Sequence, residues 1–227
     1  MESCILMVAL AHFHQGYGLF LWVLKGFSKC NYILVKGVTA IILAGGKSSR
    51  MGEDKGLIRR EGKYMIEYSI AIDKSFCNEV LISTANIDYA KFGYPLVEDI
   101  YSGIGPIGGI YSAMLRASNQ HCLVFPCDTP YLKPELFESL LGKAAGMQGV
   151  VPFTDETGVE PLCAYYHQSC LSLLKEQIQR KDYKMHNFIG RADIRMFHVD
   201  NTAAYYVPGL FTNLNTPDDL INRQNET

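Results

Sequence analysis

Hydrophobic positions along the chain fall into short apolar runs that alternate with segments of helical spacing. Ala40–Leu43 reads as a short buried strand, Glu79–Ser83 (EVLIS) as a second and Tyr94–Val97 as a third. His121–Phe125, Gly149–Phe153 and Leu162–Tyr166 have the same character, and Arg195–Asp200 and Leu210–Leu214 read as late strands. Between them, Lys63–Lys74 carries Met65, Ile66, Ile70 and Ile72 at mostly helical spacing. Further helices are predicted over Gly108–Ala117, from Pro134 onward, over Ser169–Gln179 and over Lys184–Ile189. Thr216-Pro217-Asp218-Asp219 has the cap and first-turn acids of a terminal helix. Strands alternating with helices predict an α/β fold, a mostly parallel sheet flanked by helices. Such a sheet binds ligands beyond the carboxyl ends of its strands.

Glycine-rich and charged groups collect at those ends. Segments 44–55, 83–86, 99–109 and 126–130 each follow directly after a predicted strand, so they are expected to converge on one edge. The first contains Ala44-Gly45-Gly46, then Lys47, Ser48, Ser49 and Arg50, and closes on Asp54-Lys55. Glycines let backbone amides approach a polyphosphate with no Cβ in the way, and those amides form an anion-binding nest. Arg50 and Lys55 add fixed positive charge, one as a planar fork and the other as a mobile point charge. The loop matches neither the P-loop, which closes on G-K-[ST], nor the G-x-G-x-x-G dinucleotide fingerprint. Asp128, at the end of an apolar strand, is placed to offer a fixed carboxylate to Mg2+, which takes one or two carboxylates plus phosphate oxygens and water.

Composition narrows the partners. A net charge of −2 gives no reason to expect nucleic acid. Seven cysteines, an odd number without C-x-x-C spacing, read as reduced cytosolic thiols, and Cys122 and Cys127 lack a second ligand pair for zinc. Cys4–Leu24 contains no Asp, Glu, Lys or Arg and is long enough to invite a membrane reading. Its centre, His12-Phe13-His14-Gln15-Gly16-Tyr17-Gly18, makes a poor bilayer core, and Glu2 stands where a secretory signal wants positive charge. Residues 1–34 are therefore expected to be an extension outside the functional domain, with translation beginning near Val35, the domain spanning 35–227, and no membrane association.

The thirteen residues from Leu43 to Lys55 fit L-A-G-G-x-S-x-R-M-G-x-D-K. This resembles the signature of the molybdenum cofactor guanylyltransferases, the molybdopterin-guanine dinucleotide biosynthesis protein A family of the nucleotidyltransferase superfamily. Relatives that use CTP more often read L-A-A-G. Pro126-Cys127-Asp128-Thr129-Pro130-Tyr131 resembles the family's second segment, and Glu98-Asp99 followed by G-P-x-G-G its third. Phe211–Leu220 resembles its closing N-x-N-T-P-[ED]-[ED]-L.

The resemblance implies a three-layer, Rossmann-like fold of the nucleotide-diphospho-sugar-transferase type, and a cytoplasmic enzyme. It implies that GTP and molybdenum-molybdopterin are joined to the guanine dinucleotide cofactor with release of pyrophosphate, and that molybdoenzymes or cofactor-insertase proteins are further partners. Arg50, Lys55 and Asp128 would form the catalytic set, with Mg2+ on Asp128. Leu43, Ala44, Gly45 and Gly46 would border the nucleotide, and Lys55 would contact its phosphates. Asp99 falls on a nucleotide-contacting position, where a carboxylate can accept from guanine N1 and N2 together or bind the ribose. Ser83 stands where one family member has asparagine, and Asn86 could serve instead. Asn213 and Asn215, facing one way on the late strand, would lie near the pterin, and Glu160-Pro161 and Lys184 fall near less regular family positions. Because the acceptor phosphate is already ionised, no general base is required. The alternatives are a CTP-dependent molybdopterin or sugar-phosphate nucleotidyltransferase of the same fold, or a non-catalytic carrier of nucleotide or cofactor.

Overall fold

The computed structural model describes residues 37–45, 54–73 and 77–214. The extension 1–34, Gly46, Arg50, Asn215 and the helix predicted after Thr216 lie outside the described residues. In chain order the strands are β1 (Val38–Leu43), β2 (Arg59–Arg60), β3 (Lys63–Tyr64), β4 (Glu79–Ser83), β5 (Leu96–Val97), β6 (His121–Pro126), β7 (Gly149–Thr154), β8 (Gly158–Val159), β9 (Ala164–His167) and β10 (Ile194–His198). The helices are α1 (Met65–Asp73), α2 (Pro106–Arg116), α3 (Pro134–Leu141), α4 (Leu171–Gln179) and α5 (Met185–Ile189).

Strand β1 is buried from Val38 to Ile42 on both faces, which is the demand of a central parallel strand and the reason its sequence is a continuous apolar run. It pairs in parallel with β4 on one side and β6 on the other, and β5 extends the sheet beyond β4, also in parallel. Past β6 comes β9, antiparallel to both β6 and β7, and then β10, parallel to β7.

Alternate residues of these strands feed two cores. Ala40, Ile42, Leu123 and Phe125 pack with Ile66 of α1 and with Leu136 and Phe137 of α3. Ile41, Leu81 and Val124 pack on the other face with Ile107 and Ile110 of α2, Leu174 of α4 and Phe188 of α5. Three layers result, as the resemblance implied. No helix among the described residues is long and apolar enough to cross a membrane.

Three expectations need correction. The segment 210–214 forms turns instead of a strand: Leu210 and Thr212 donate their N–H groups to the carbonyls of Val207 (3.0 Å) and Gly209 (2.9 Å). Its last described residue, Leu214, donates to the carbonyl of Asp128 (2.9 Å), so these amides are satisfied without a sheet. The helix expected from Lys63 starts at Met65, because Lys63 and Tyr64 pair with Arg59 and Arg60. Glu61 and Gly62, both at positive φ, form the two-residue turn of that hairpin. Strands β5 and β9 also begin two residues later than predicted, and ahead of β9 the Cys163 N–H closes a turn onto Glu160 (3.1 Å).

Candidate active site

The chain steps outward from β1 to β4 and β5, then returns to lay β6 on the opposite side of β1. A reversal of this kind leaves a crevice beyond the carboxyl ends of the strands it separates. Hydrogen bonding continues past those ends. Ala44 N–H donates to the Ser83 carbonyl (3.0 Å), Cys127 N–H to that of Leu43 (3.0 Å) and Thr84 N–H to that of Val97 (2.9 Å). The loops after β1, β4, β5 and β6 are therefore tied to one edge, where Gly45 lies exposed.

Two residues distant in sequence meet here. Lys55 opens a short 3-10 turn and places its Nζ 3.3 Å from Asp128 Oδ2. The lysine side chain is 30% exposed and the aspartate 12%, so the ammonium can turn toward an arriving anion while the carboxylate stays in the wall. Burial pushes the Asp128 carboxyl above the usual carboxylate range, and the charge and hydrogen bond of Lys55 oppose that shift.

Asp54 precedes this turn and caps it, accepting from Gly56 N–H (3.3 Å). The Tyr89 hydroxyl donates to the same Asp54 oxygen, and Asn86 Nδ2 donates to the other (3.2 Å). Asn86 Oδ1 in turn accepts from Asp88 N–H (2.9 Å). Both ends of the Asn86 amide thus make hydrogen bonds inside the protein.

Asp99 follows β5 and is half-buried, and Ser83 Oγ donates to its Oδ1 (3.5 Å). Burial raises the Asp99 carboxyl, the Ser83 hydrogen bond lowers it, and the charge of Glu98 raises it further. Two glycines of α2 make this placement sterically open. A Cβ on Gly109 would fall 2.6 Å from Ser83 Oγ and 3.3 Å from Asp99 Oδ1, and one on Gly108 would fall 2.7 Å from the Tyr101 carbonyl.

The remaining candidates are spread more widely. Asn213 is exposed one residue before Leu214, whose N–H reaches the Asp128 carbonyl (2.9 Å), so the closing segment does approach the edge, by a turn. Glu160 is half-buried with its carboxyl raised by burial, opposed by a Thr157 hydrogen bond and the charge of His186. Lys184 is exposed at the start of α5; its N–H donates to Asp182 (3.3 Å) and its carbonyl accepts from Gln177 (3.0 Å). Tyr89 and Gly56 did not stand out as site residues in the sequence, whereas Gly108 and Gly109 were already marked by the G-P-x-G-G segment.

An open sheet that brings Gly45, a lysine and a buried carboxylate to one edge at its point of reversal has the layout of a nucleotidyltransferase. The chain belongs to the family of the MobA-like NTP transferase domain, whose sequence profile matches residues 40–195. It is 33% identical to a molybdenum cofactor guanylyltransferase of Yersinia pseudotuberculosis, over 80% of this chain and 92% of that one. It is 29% identical to a probable molybdenum cofactor guanylyltransferase of Flavobacterium johnsoniae, over 81% of this chain and 94% of that one. The crystal structure of molybdopterin-guanine dinucleotide biosynthesis protein A from Archaeoglobus fulgidus superposes with a TM-score of 0.69 at 27% identity, covering 83% of this chain and 97% of the other.

Proposed function

We propose that this chain transfers GMP from GTP to molybdenum-loaded molybdopterin, giving molybdopterin guanine dinucleotide and pyrophosphate. The observation that carries this reading is the approach of Lys55 Nζ to within 3.3 Å of Asp128 Oδ2 at the edge where Gly45 and Asp99 also lie. A phosphate oxygen of the acceptor forms a bond to the α-phosphorus of GTP, and the bond from that phosphorus to the bridging oxygen breaks to release pyrophosphate. The attacking oxygen is already ionised, so positioning and charge neutralisation set the rate.

Lys55 swings from Asp128 to the phosphates as GTP enters, and Arg50 adds a second cation from the same loop. Leu43, Ala44, Gly45 and Gly46 contact the nucleotide. Asp128 fits a divalent cation, because burial leaves its carboxylate incompletely compensated by Lys55. Mg2+ suits a site offering one fixed carboxylate, since it keeps waters and phosphate oxygens in its shell. Bound there, Mg2+ would neutralise charge accumulating on the phosphate oxygens. Asp99, steadied by Ser83, reads guanine through N1 and N2, and Asn213 and Asn215 serve the pterin-bearing substrate. Cys122, Cys127, Cys163 and Cys170 are free thiols, which supports a cytoplasmic setting and product delivery there to molybdoenzymes or their insertase partners.

Pyrophosphate release from GTP, CTP, ATP and UTP, each with molybdopterin and with or without Mg2+, tests the reading. GTP with Mg2+ is expected to give the dominant rate; dominance of CTP would replace it with the cytidylyl alternative. Substituting Asp99→Asn is expected to weaken GTP about 10- to 100-fold while leaving ATP unchanged, the loss expected for hydrogen bonds to a charged acceptor. An equal loss for all four triphosphates would assign Asp99 to the ribose.

A further inference from the structure

We propose that Tyr89 is a positioning residue for the phosphate-binding lysine. Together with Asn86 it occupies both carboxylate oxygens of Asp54, so that Lys55 faces Asp128 and the triphosphate instead of its own neighbour. The inference rests on the assignment of Lys55 and Asp128 made above, and it concerns a residue that lies in none of the signature segments.

An aspartate directly before a lysine is a competitor for its ammonium, since opposite charges a few ångströms apart attract strongly away from bulk water. Here that competition is removed. Asp54 Oδ1 accepts from the Tyr89 hydroxyl and from Gly56 N–H (3.3 Å), and Oδ2 accepts from Asn86 Nδ2 (3.2 Å). Asn86 is itself held by Asp88 N–H (2.9 Å) and through its own N–H to Thr84 Oγ1 (3.1 Å). The carboxylate is thereby locked as the cap of the turn that starts at Lys55, and the Lys55 ammonium lies 3.3 Å from Asp128.

Tyr89 is fully buried in the 3-10 helix that follows β4, so its hydroxyl cannot drift. The place it reaches is crowded. A Cβ on Gly56 would fall 2.3 Å from the Tyr89 hydroxyl and 2.9 Å from the sulfur of Cys127, the residue before Asp128. One hydroxyl therefore sits where the segments after β1, β4 and β6 meet. A phenylalanine would fill the same volume; what it would lack is the bond that holds Asp54.

The test compares the full chain with Tyr89→Phe, Lys55→Ala and the double variant in GTP turnover, with thermal unfolding recorded for each. Tyr89→Phe is expected to unfold within a few degrees of the parent and to lose about tenfold in kcat/KM for GTP, the size of one such hydrogen bond. In the Lys55→Ala background the same change is expected to cost less than about twofold, since residues that act through one another are not additive. The proposal is overturned if Tyr89→Phe retains full activity while Lys55→Ala is impaired, or if it costs the same factor in both backgrounds. An active Lys55→Ala enzyme with unchanged GTP kinetics would instead remove the assignment of Lys55, and this inference with it. Should Tyr89→Phe not fold, Asn86→Ala in the two backgrounds reads the same coupling from the other oxygen of Asp54.

Discussion

Asp128→Asn is expected to lower Mg2+-dependent turnover by about 10²- to 10³-fold or more, the usual cost of losing one charge-stabilising group, while the apoprotein becomes no less stable. Asparagine keeps the size of the side chain and one acceptor oxygen. The attachment of the closing segment is through the backbone carbonyl of residue 128, so it survives the change. What disappears is a buried negative charge. Because burial raises the Asp128 carboxyl in the folded protein above its unfolded value, the folded state binds that proton more tightly. Its contribution is then fully present below the unfolded value and is lost as the pH rises through the raised folded one. At neutral pH the parent carries this penalty and the variant does not, although Lys55 offsets part of it. Calorimetric unfolding should show the variant level with the parent or a few degrees above it at pH 7, and the gap should close below the ordinary carboxylate value of 3.8. Turnover within a few-fold of the parent would show that Asp128 holds no metal.

Gly108→Ala should reverse the ordinary rule for helices. Alanine in a helix interior is favoured over glycine by about 1 kcal/mol. At this position the new Cβ would lie 2.7 Å from the Tyr101 carbonyl oxygen, 2.9 Å from Ile104 Cγ1 and 3.4 Å from Asp99 Oδ2. The first of these is backbone, so the segment from Asp99 to Ile104 must move. We expect a loss of about 1–3 kcal/mol, the usual cost of overpacking. That corresponds to roughly 2–10 °C in Tm for a chain of this size. GTP affinity should fall at least about tenfold, since each 1.4 kcal/mol of misplaced contact is a decade. Gly190 is the control: its φ is −68° and the nearest atoms to a Cβ are 3.7 Å away. Alanine there should change stability by less than about 0.5 kcal/mol. Equal unfolding and equal GTP binding for both variants would show that the close approach of α2 to Asp99 carries no weight.

The legible parts were those governed by near neighbours in sequence. The continuous apolar run of β1, the proline that starts α3 and the spacing of α4 all follow from local rules of burial and helix geometry. Even the placement of charged loops after strands was visible, because strand ends and glycines are local features. Errors fell where local pattern left two outcomes open. Lys63-Tyr64 could open a helix or close a hairpin, and the turn at Glu61-Gly62 chose the hairpin. Leu210–Leu214 had the composition of a strand, but its last amide found the Asp128 carbonyl in place of a neighbouring strand.

From the sequence alone came the kind of loop that can hold phosphate, the lysine and aspartate able to serve it, and the layered architecture that presents them. The tertiary structure alone decided which distant groups touch. Laying β6 against β1 put Asp128 beside Lys55, and the helix after β4 carried the Tyr89 hydroxyl to Asp54. Such contacts depend on strand order and on how closely helices approach the sheet, quantities set by packing across the whole chain and written in no single segment of it.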